Sequence, residues 1–428
     1  MREVFAGWLM LLALTASVGV GLGTGVPPAA AGIAWWAAGM LLLNRLHGLQ
    51  RIQTVLMLAV GLAGLAYAAT RGVLIDWRQA ISGNQALLAM LAAVTFLRLI
   101  SLPRIEPGEP DPRGRAALWR TLLGVHLFGS VINLSAVMIL GDRQSRRSPL
   151  TPLQAVTLSR GFALAAHWSP FFAAMGIALS HAPGARLPVL SLIGMPLAAL
   201  GLLLTAWQLA RWPAARDYTG YPMHFAALWV PGLLAAIVLV FHGLIPALPI
   251  LTLISASALG MTLLVLVLRL QSRAWADLRS HVENGLPAMA GELALFLAAA
   301  VLATGIQAAV QAQGWTLQVS SFGASEAWLM LLAMVALSIV GVHPVISIAT
   351  AQGLMTPLAV DPNLLGITYL MAWAVGVSIS PFSGMHLGMQ GRFGIDSRGF
   401  VRWNGGFTLI MLLIHGVALQ AYERFIST

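Results

Sequence analysis

Runs of about twenty apolar residues recur along almost the whole chain, and this one feature leaves few folds open. A bilayer core of ~30 Å takes about 20 residues of helix. Within lipid, only helices and closed barrels satisfy every backbone N–H and C=O. The runs are Phe5–Leu22, Ala29–Leu46, Ile52–Thr70, Gln85–Ile100, Gly161–Leu179 and Leu187–Leu209, then Phe225–Leu244, Leu248–Leu268, Leu286–Val310, Leu364–Met389 and Phe407–Tyr422. Charged residues make up only 9% of the 428 and hydrophobic ones 58%. A soluble domain carries roughly a quarter charged residues, so this chain lacks the polar surface that water demands. The expected class is all-α, a polytopic membrane protein with about eleven transmembrane helices. Phe5–Leu22 behind Arg2 has the outline of a signal peptide, but the runs that follow favour a retained first helix.

The basic residues determine the path. The net charge is +10 and all 24 basic residues are arginine. They cluster in short connections between apolar runs, as topology requires, and no nucleic-acid partner is expected. The apolar segment Ala117–Leu140 has Arg104, Arg113, Arg115 and Arg120 before or at its start, and Arg143, Arg146, Arg147 and Arg160 after it. A crossing there would strand one cluster outside. A re-entrant hairpin, turning near Gly129, Ser130, Asn133 and Ser135, keeps both inside. Treating Trp328–Leu358 alike predicts a cytoplasmic N-terminus in a bacterial inner membrane. Arg45, Arg51, Arg211, Arg216, Arg269, Arg273, Arg279, Arg392, Arg398 and Arg402 then also lie inside, leaving Arg71, Arg78, Arg186 and Arg424 outside. The connections Gln311–Glu326 and Ala359–Asn363 hold no arginine, so the second hairpin enters from outside.

The halves resemble each other. Val131-Ile132-Asn133-Leu134-Ser135 aligns with Val345-Ile346-Ser347-Ile348-Ala349, and His167-Trp168-Ser169-Pro170-Phe171 with Ser378-Ile379-Ser380-Pro381-Phe382. The predicted organisation is an extra helix over residues 1–28 and two repeats. The first, 29–210, has a hairpin at 117–140 and an interrupted helix at 158–180. The second, 211–428, has them at 328–358 and 364–390. Five crossings per repeat make the second inverted, an architecture common among secondary transporters.

This layout resembles the ion transporter superfamily, which includes divalent anion:sodium symporters. The resemblance implies transport of a small solute by an elevator-type motion, in a protein that dimerises. Members of that layout usually carry Ser-Asn-Thr at each hairpin tip. Here the tips read Ile132-Asn133-Leu134-Ser135 and Ile346-Ser347-Ile348-Ala349-Thr350.

Pro170 and Pro381 lack an N–H and interrupt their helices, freeing N–H groups at one new end and carbonyls at the other. The expected solute or ion ligands are Asn133, Ser135, His167, Ser169, Ser347, Thr350, Ser378, Ser380 and Ser383. A kink whose serines bond back to the preceding turn is the simpler use of such residues. His126, His343, His386 and Glu292 are the candidates for proton coupling, although an Arg98–Glu292 pair would make Glu292 structural. The side-chain oxygens that sodium needs are sparse at the tips, which favours H+ over Na+ as coupling ion. No cofactor or metal is expected, since cysteine is absent and no H-E-x-x-H, G-x-S-x-G or P-loop occurs. The expected partners are therefore a small solute, membrane lipid and a second copy of the chain. The alternatives are a membrane-embedded enzyme or lipid-handling protein, and a passive channel.

Overall fold

A computed structural model describes residues 1–101, 111–146, 148–222, 229–268, 274–314, 322–355 and 360–426. Arg104, Arg147, Arg269 and Arg273 lie outside the described residues. So do the first residues of the Phe225–Leu244 run, the end of the 328–358 segment, and parts of its two flanking connections.

Among the described residues every regular element is helical, with one isolated bridge between Arg113 and Thr219. The first six helices are α1 Arg2–Gly21, α2 Pro28–Leu41, α3 Gly48–Thr70, α4 Trp77–Ser82, α5 Gln85–Phe96 and α6 Arg98–Ser101. Next come α7 Arg115–Ile132, α8 Leu134–Gln144, α9 Pro152–Leu164, α10 Ala173–His181 and α11 Leu187–Leu209. Then follow α12 Trp229–Leu244, α13 Ile250–Leu268, α14 Ala274–Ser280, α15 Ala290–Gln313, α16 Ala324–Ile339 and α17 Pro344–Met355. The last are α18 Pro362–Ile379, α19 Gly384–Phe393 and α20 Gly399–Phe425.

Eight stretches among the described residues are long and apolar enough to cross a bilayer, and four shorter apolar helices accompany them. The chain is an all-helical, multi-pass membrane protein. Fewer than eleven full spans appear because some runs are divided. The Ala29–Leu46 run is α-helical only to Leu41, and the Gly161–Leu179 run breaks in its middle.

By contacts the chain forms two compact units that cut across the sequence halves. Unit 1 comprises Met1–Leu102, Val230–Val319 and Val345–Ala359. Unit 2 comprises Pro103–Trp229, Ser320–Pro344 and Val360–Thr428.

Unit 1 is built on the crossing of α3 and α15. A Cβ on Gly61 would stand 2.6 Å from the Val301 carbonyl oxygen, and Gly64 and Gly305 press on the facing backbone just as closely. Small residues let apolar helices approach until backbone meets backbone. Leu65, Ala68, Val301 and Ala308 extend the same seam, with Trp36 and Leu58 against it.

In unit 2, α7 and α8 pack on each other and both on α9. A single residue, Asn133, joins α7 to α8 at φ +52° and ψ −143°. Gly129 and Ser130 are inside α7 and Ser135 inside α8, so the turn is tighter than the sequence suggests. That backbone conformation costs a non-glycine residue about 1–3 kcal/mol, and the Asn133 amide donates to the Phe171 carbonyl at 3.2 Å. At the far end of α8, Gln144 Nε2 donates to Tyr218 Oη at 3.1 Å and to the Thr219 carbonyl at 3.2 Å. Burial pushes the Tyr218 phenol up, the Gln144 bond opposing it. Arg392 on α19 grips Asp142 on α8 with two bonds of 2.5 and 2.7 Å.

The second segment departs from expectation. The turn falls at Val340–His343, where Gly341 takes φ +104° and Pro344 opens α17. Ser347 and Thr350 therefore sit within α17 instead of at a tip. The match of Val131–Ser135 with Val345–Ala349 pairs a turn with a helix, because an offset of 214 overshoots by several residues. The arms also part company. α16 packs on α18 and α20 in unit 2, while α17 belongs to unit 1, where Gly353 lies against Ile306.

Candidate functional site

Two interrupted helices meet in the interior of unit 2. The first runs α9, a 3-10 turn at Ala165–His167, an irregular stretch, then α10. The second runs α18, an irregular Ser380–Ser383, then α19. Both breaks share one local device. The Phe171 N–H donates to Ser169 Oγ at 3.2 Å, and the Phe382 N–H to Ser380 Oγ at 3.3 Å. In each, the serine caps the amide two residues on, across a proline that offers no N–H of its own.

The remaining serines serve the fold in the way a kinked helix allows. Ser169 Oγ donates to the Ser130 carbonyl at 2.5 Å, tying the first break to α7. Ser378 Oγ donates back to Val375, and Ser383 Oγ accepts the His386 N–H as the N-cap of α19. Around the second break Phe382 is 42% exposed and Gly384 is open, so freed backbone there is accessible.

Arg160 is the residue that sequence reading misplaced. It is 2% exposed and stands inside α9 instead of in a connection between helices. The reason is a capping box: Thr151 Oγ1 accepts the Gln154 N–H at 3.3 Å while Gln154 Oε1 accepts the Thr151 N–H at 2.9 Å. This starts α9 at Pro152, so Arg160 stands two turns inside. Thr151-Pro152 followed by Gln154 was the available signal. Its guanidinium donates to Asn404 Oδ1 at 2.8 Å, Gln208 Oε1 at 2.7 Å and the Trp403 carbonyl at 2.7 Å, and lies 4.4 Å over the Phe407 ring. Asn404 in turn donates to the Ser378 carbonyl beside the second break. Every one of these partners is neutral. Withdrawing such a cation from water costs several kcal/mol, offset by charge-assisted bonds of about 1.5–3 kcal/mol each. Three of its five N–H groups are used in these bonds.

The histidines are mostly saturated. His126 Nδ1 lies 3.0 Å from the Gly161 carbonyl, and its Nε2 accepts the Trp168 indole N–H at 3.1 Å. His386 Nδ1 lies 2.7 Å from the Ser380 carbonyl and Nε2 2.7 Å from Ser159 Oγ, with the ring stacked on Phe400 at 3.6 Å. His167 Nδ1 faces the Leu164 carbonyl at 3.1 Å and its Nε2 faces His415 Nε2 at 3.0 Å. A Cβ on Gly194 would collide with the His167 carbonyl, so α11 runs hard against this turn. Neither Ser159 nor His415 stood out in the sequence. Their partners are over 200 residues away.

Other expected residues fall elsewhere. Ser135 is half-buried in the first turn of α8. Ser347, buried, and Thr350, half-buried, belong to unit 1. His343 is half-buried beside the turn before α17, its ring edge-on to Trp373 at 5.4 Å. Glu292 lies in the first turn of α15 and is exposed, and it forms no ion pair with Arg98 among the described residues. A π-turn at His281–Gly285 and a 3-10 turn at Pro287–Met289 precede α15, so its regular helix begins only at Ala290. There a carboxylate complements the free N–H groups of the helix start.

No protein-family model and no curated protein matches the chain. Among solved structures it is similar to the Alcanivorax borkumensis YdaH transporter, whose crystal structure is described as revealing an unusual topology. The identity is 16%, over 87% of this chain and 98% of that one, with a TM-score of 0.40.

Proposed function

We propose that this protein is a proton-coupled secondary transporter of a small organic or inorganic anion, working by an elevator-type motion in which unit 2 carries the solute. The observation that supports it most is Arg160. A membrane protein keeps a buried cation at high cost, and such residues mark substrate or ion paths. Among the described residues no carboxylate neutralises it, which leaves an anion as the natural counter-charge. The two breaks add backbone N–H groups, which favour anions. Asn133, Ser135, His167, Ser169, Ser378, Ser380 and Ser383 would line or brace the solute. Ser347 and Thr350 would also bind solute or ion. His126, His343, His386 and Glu292 are weaker proton carriers than the His167–His415 pair.

The same reading places the protein as a dimer in a bacterial inner membrane with a cytoplasmic N-terminus. That orientation rests on arginine asymmetry, and a cysteine introduced at Gly314 should label from outside in sealed cells. In proteoliposomes, a panel of radiolabelled carboxylates, phosphate and sulfate should include one anion accumulated uphill under an imposed pH gradient, unaffected by replacing sodium with choline. Equilibration without accumulation would identify a channel, and chemical conversion an enzyme. Strict sodium dependence would reverse the choice of ion.

Asn133 supplies a sharper test. Asn133→Gly removes the side chain and tolerates the positive φ, so the fold should gain about 1 kcal/mol in thermal unfolding. Retention of the accumulated anion should weaken in the same variant. A variant equally stable and equally tight would remove Asn133 from the site.

A further inference from the structure

We propose that the His167–His415 pair is the proton-binding site of unit 2, with His415 Nδ1 as the atom that accepts the proton. A carbonyl oxygen only accepts, so His167 Nδ1, 3.1 Å from the Leu164 carbonyl, carries the hydrogen. The Nε2 of neutral His167 is then a lone pair. His415 Nε2, 3.0 Å away, supplies the hydrogen between the rings. That leaves His415 Nδ1 bare. The residue is 0% exposed, and this nitrogen has no hydrogen-bond partner among the described residues.

His126 and His386, the other histidines packed against the two breaks, differ in this respect. A proton on His126 Nε2 would confront the Trp168 indole N–H, a group that can only donate. A proton on His386 Nε2 requires Ser159 to reverse its hydroxyl. A proton added to His415 Nδ1 breaks no existing bond. The resulting cation is shared, because the inter-ring hydrogen can pass to His167 Nε2 while His415 keeps the new one. The proton comes from water on the side to which the site is open and returns to water on the other. In this structure the crevice between His167, Gly194, Leu197, Ile367 and Met371 is too tight for a water molecule, so exchange needs the unit to change conformation.

Few charges compete with the pair. Of the helices packed on α20, α11 carries no titratable residue, α16 carries Glu326, α18 carries Tyr369 and α9 carries Arg160. The turn bearing His167 adds only that ring, and His126 on α7 faces it through Trp168. Glu326 is engaged at the start of α16, where it accepts the Gly323 N–H. On α20 itself Arg402, Glu423 and Arg424 are exposed to screening, so Arg160 is the buried fixed charge that matters. It meets α20 at Trp403–Phe407, so roughly 12–18 Å of helix at 1.5 Å per residue separates it from His415. Across that distance, at an effective dielectric near 20, two cations oppose each other by roughly five- to tenfold in affinity. An anion on Arg160 removes the opposition, so proton and anion bind cooperatively and travel together.

The coupling rests on the transporter reading, whereas proton binding by the pair does not. The test is a pH titration, over roughly pH 5–8, of the full chain labelled with 15N-histidine in lipid nanodiscs, followed by NMR. Two ring systems should titrate together while His126 stays neutral, and His415→Gln should abolish the response of His167. The unsubstituted protein carries the titration, and His386→Gln and His126→Gln assign the spectrum should His415→Gln misfold. Invariant signals from the pair, or a titration confined to His386, would overturn the assignment. A pair that titrates in a protein that accumulates no anion would support the proton site and remove the proposed transport instead.

Discussion

Arg160→Met abolishes uphill anion accumulation in proteoliposomes, and anion retention falls by roughly 30-fold to several thousand-fold. The magnitude follows from removing one member of a buried charge pair, which costs about 2–5 kcal/mol. The protein survives the change because two terms oppose. Losing the cation removes a desolvation cost of several kcal/mol. It also strands the acceptors on Asn404, Gln208 and Trp403, at about 1–3 kcal/mol for each one left unpaired. Thermal unfolding should therefore shift far less than binding. Arg160→Lys separates charge from shape: an ammonium keeps the charge and three donors but lacks the planar fork that meets these acceptors, so it should bind anion with intermediate strength. Full uptake by Arg160→Met would remove the residue from the site and leave it a structural brace.

Gly305→Leu dismantles unit 1. Its Cβ would be driven into the Gly61 backbone, while Gly61 itself faces the Val301 carbonyl. Overpacking a core usually costs about 1–3 kcal/mol because side chains step aside. Here the obstacle is backbone on both helices, so the cost should be about 3 kcal/mol or more, enough to lose monodisperse protein on size exclusion in detergent. Gly232→Ala on α12 is the control. A Cβ there meets nothing within 4 Å, and the helix should gain up to about 1 kcal/mol from alanine. Equal melting of Gly305→Leu and the unsubstituted protein would mean the α3–α15 crossing can open without penalty.

These two predictions illustrate unequal legibility. The glycines of the seam are visible in the sequence, but nothing there says that Gly61 and Gly305 face each other. The arginine at 160 is equally visible, yet it reads as one of a cytoplasmic cluster until the Thr151–Gln154 capping box is recognised. Asn133 was legible as part of a turn, because small and polar residues surround it, although the turn proved to be that one residue. The second turn was misread by several positions because a short apolar match outweighed the stronger local cues, Gly341 and Pro344. Glu292 was expected a turn or two inside a helix beginning at Leu286, since hydropathy cannot register the π-turn and 3-10 turn that delay the regular start of α15.

The features legible in the chain alone are local: the helical class, the apolar lengths and the two breaks at Ser169-Pro170 and Ser380-Pro381. Each follows from chemistry within a few residues, a missing N–H, a capping hydroxyl, or twenty side chains with no affinity for water. Packing alone reveals that Arg160 rests on Asn404 with no carboxylate beside it among the described residues, that His167 meets His415, and that Val345–Ala359 joins unit 1. Those partnerships join residues up to 248 apart, and helix packing selects them among many apolar surfaces of similar affinity. A single sequence records which side chains must leave water, but not which of them will meet.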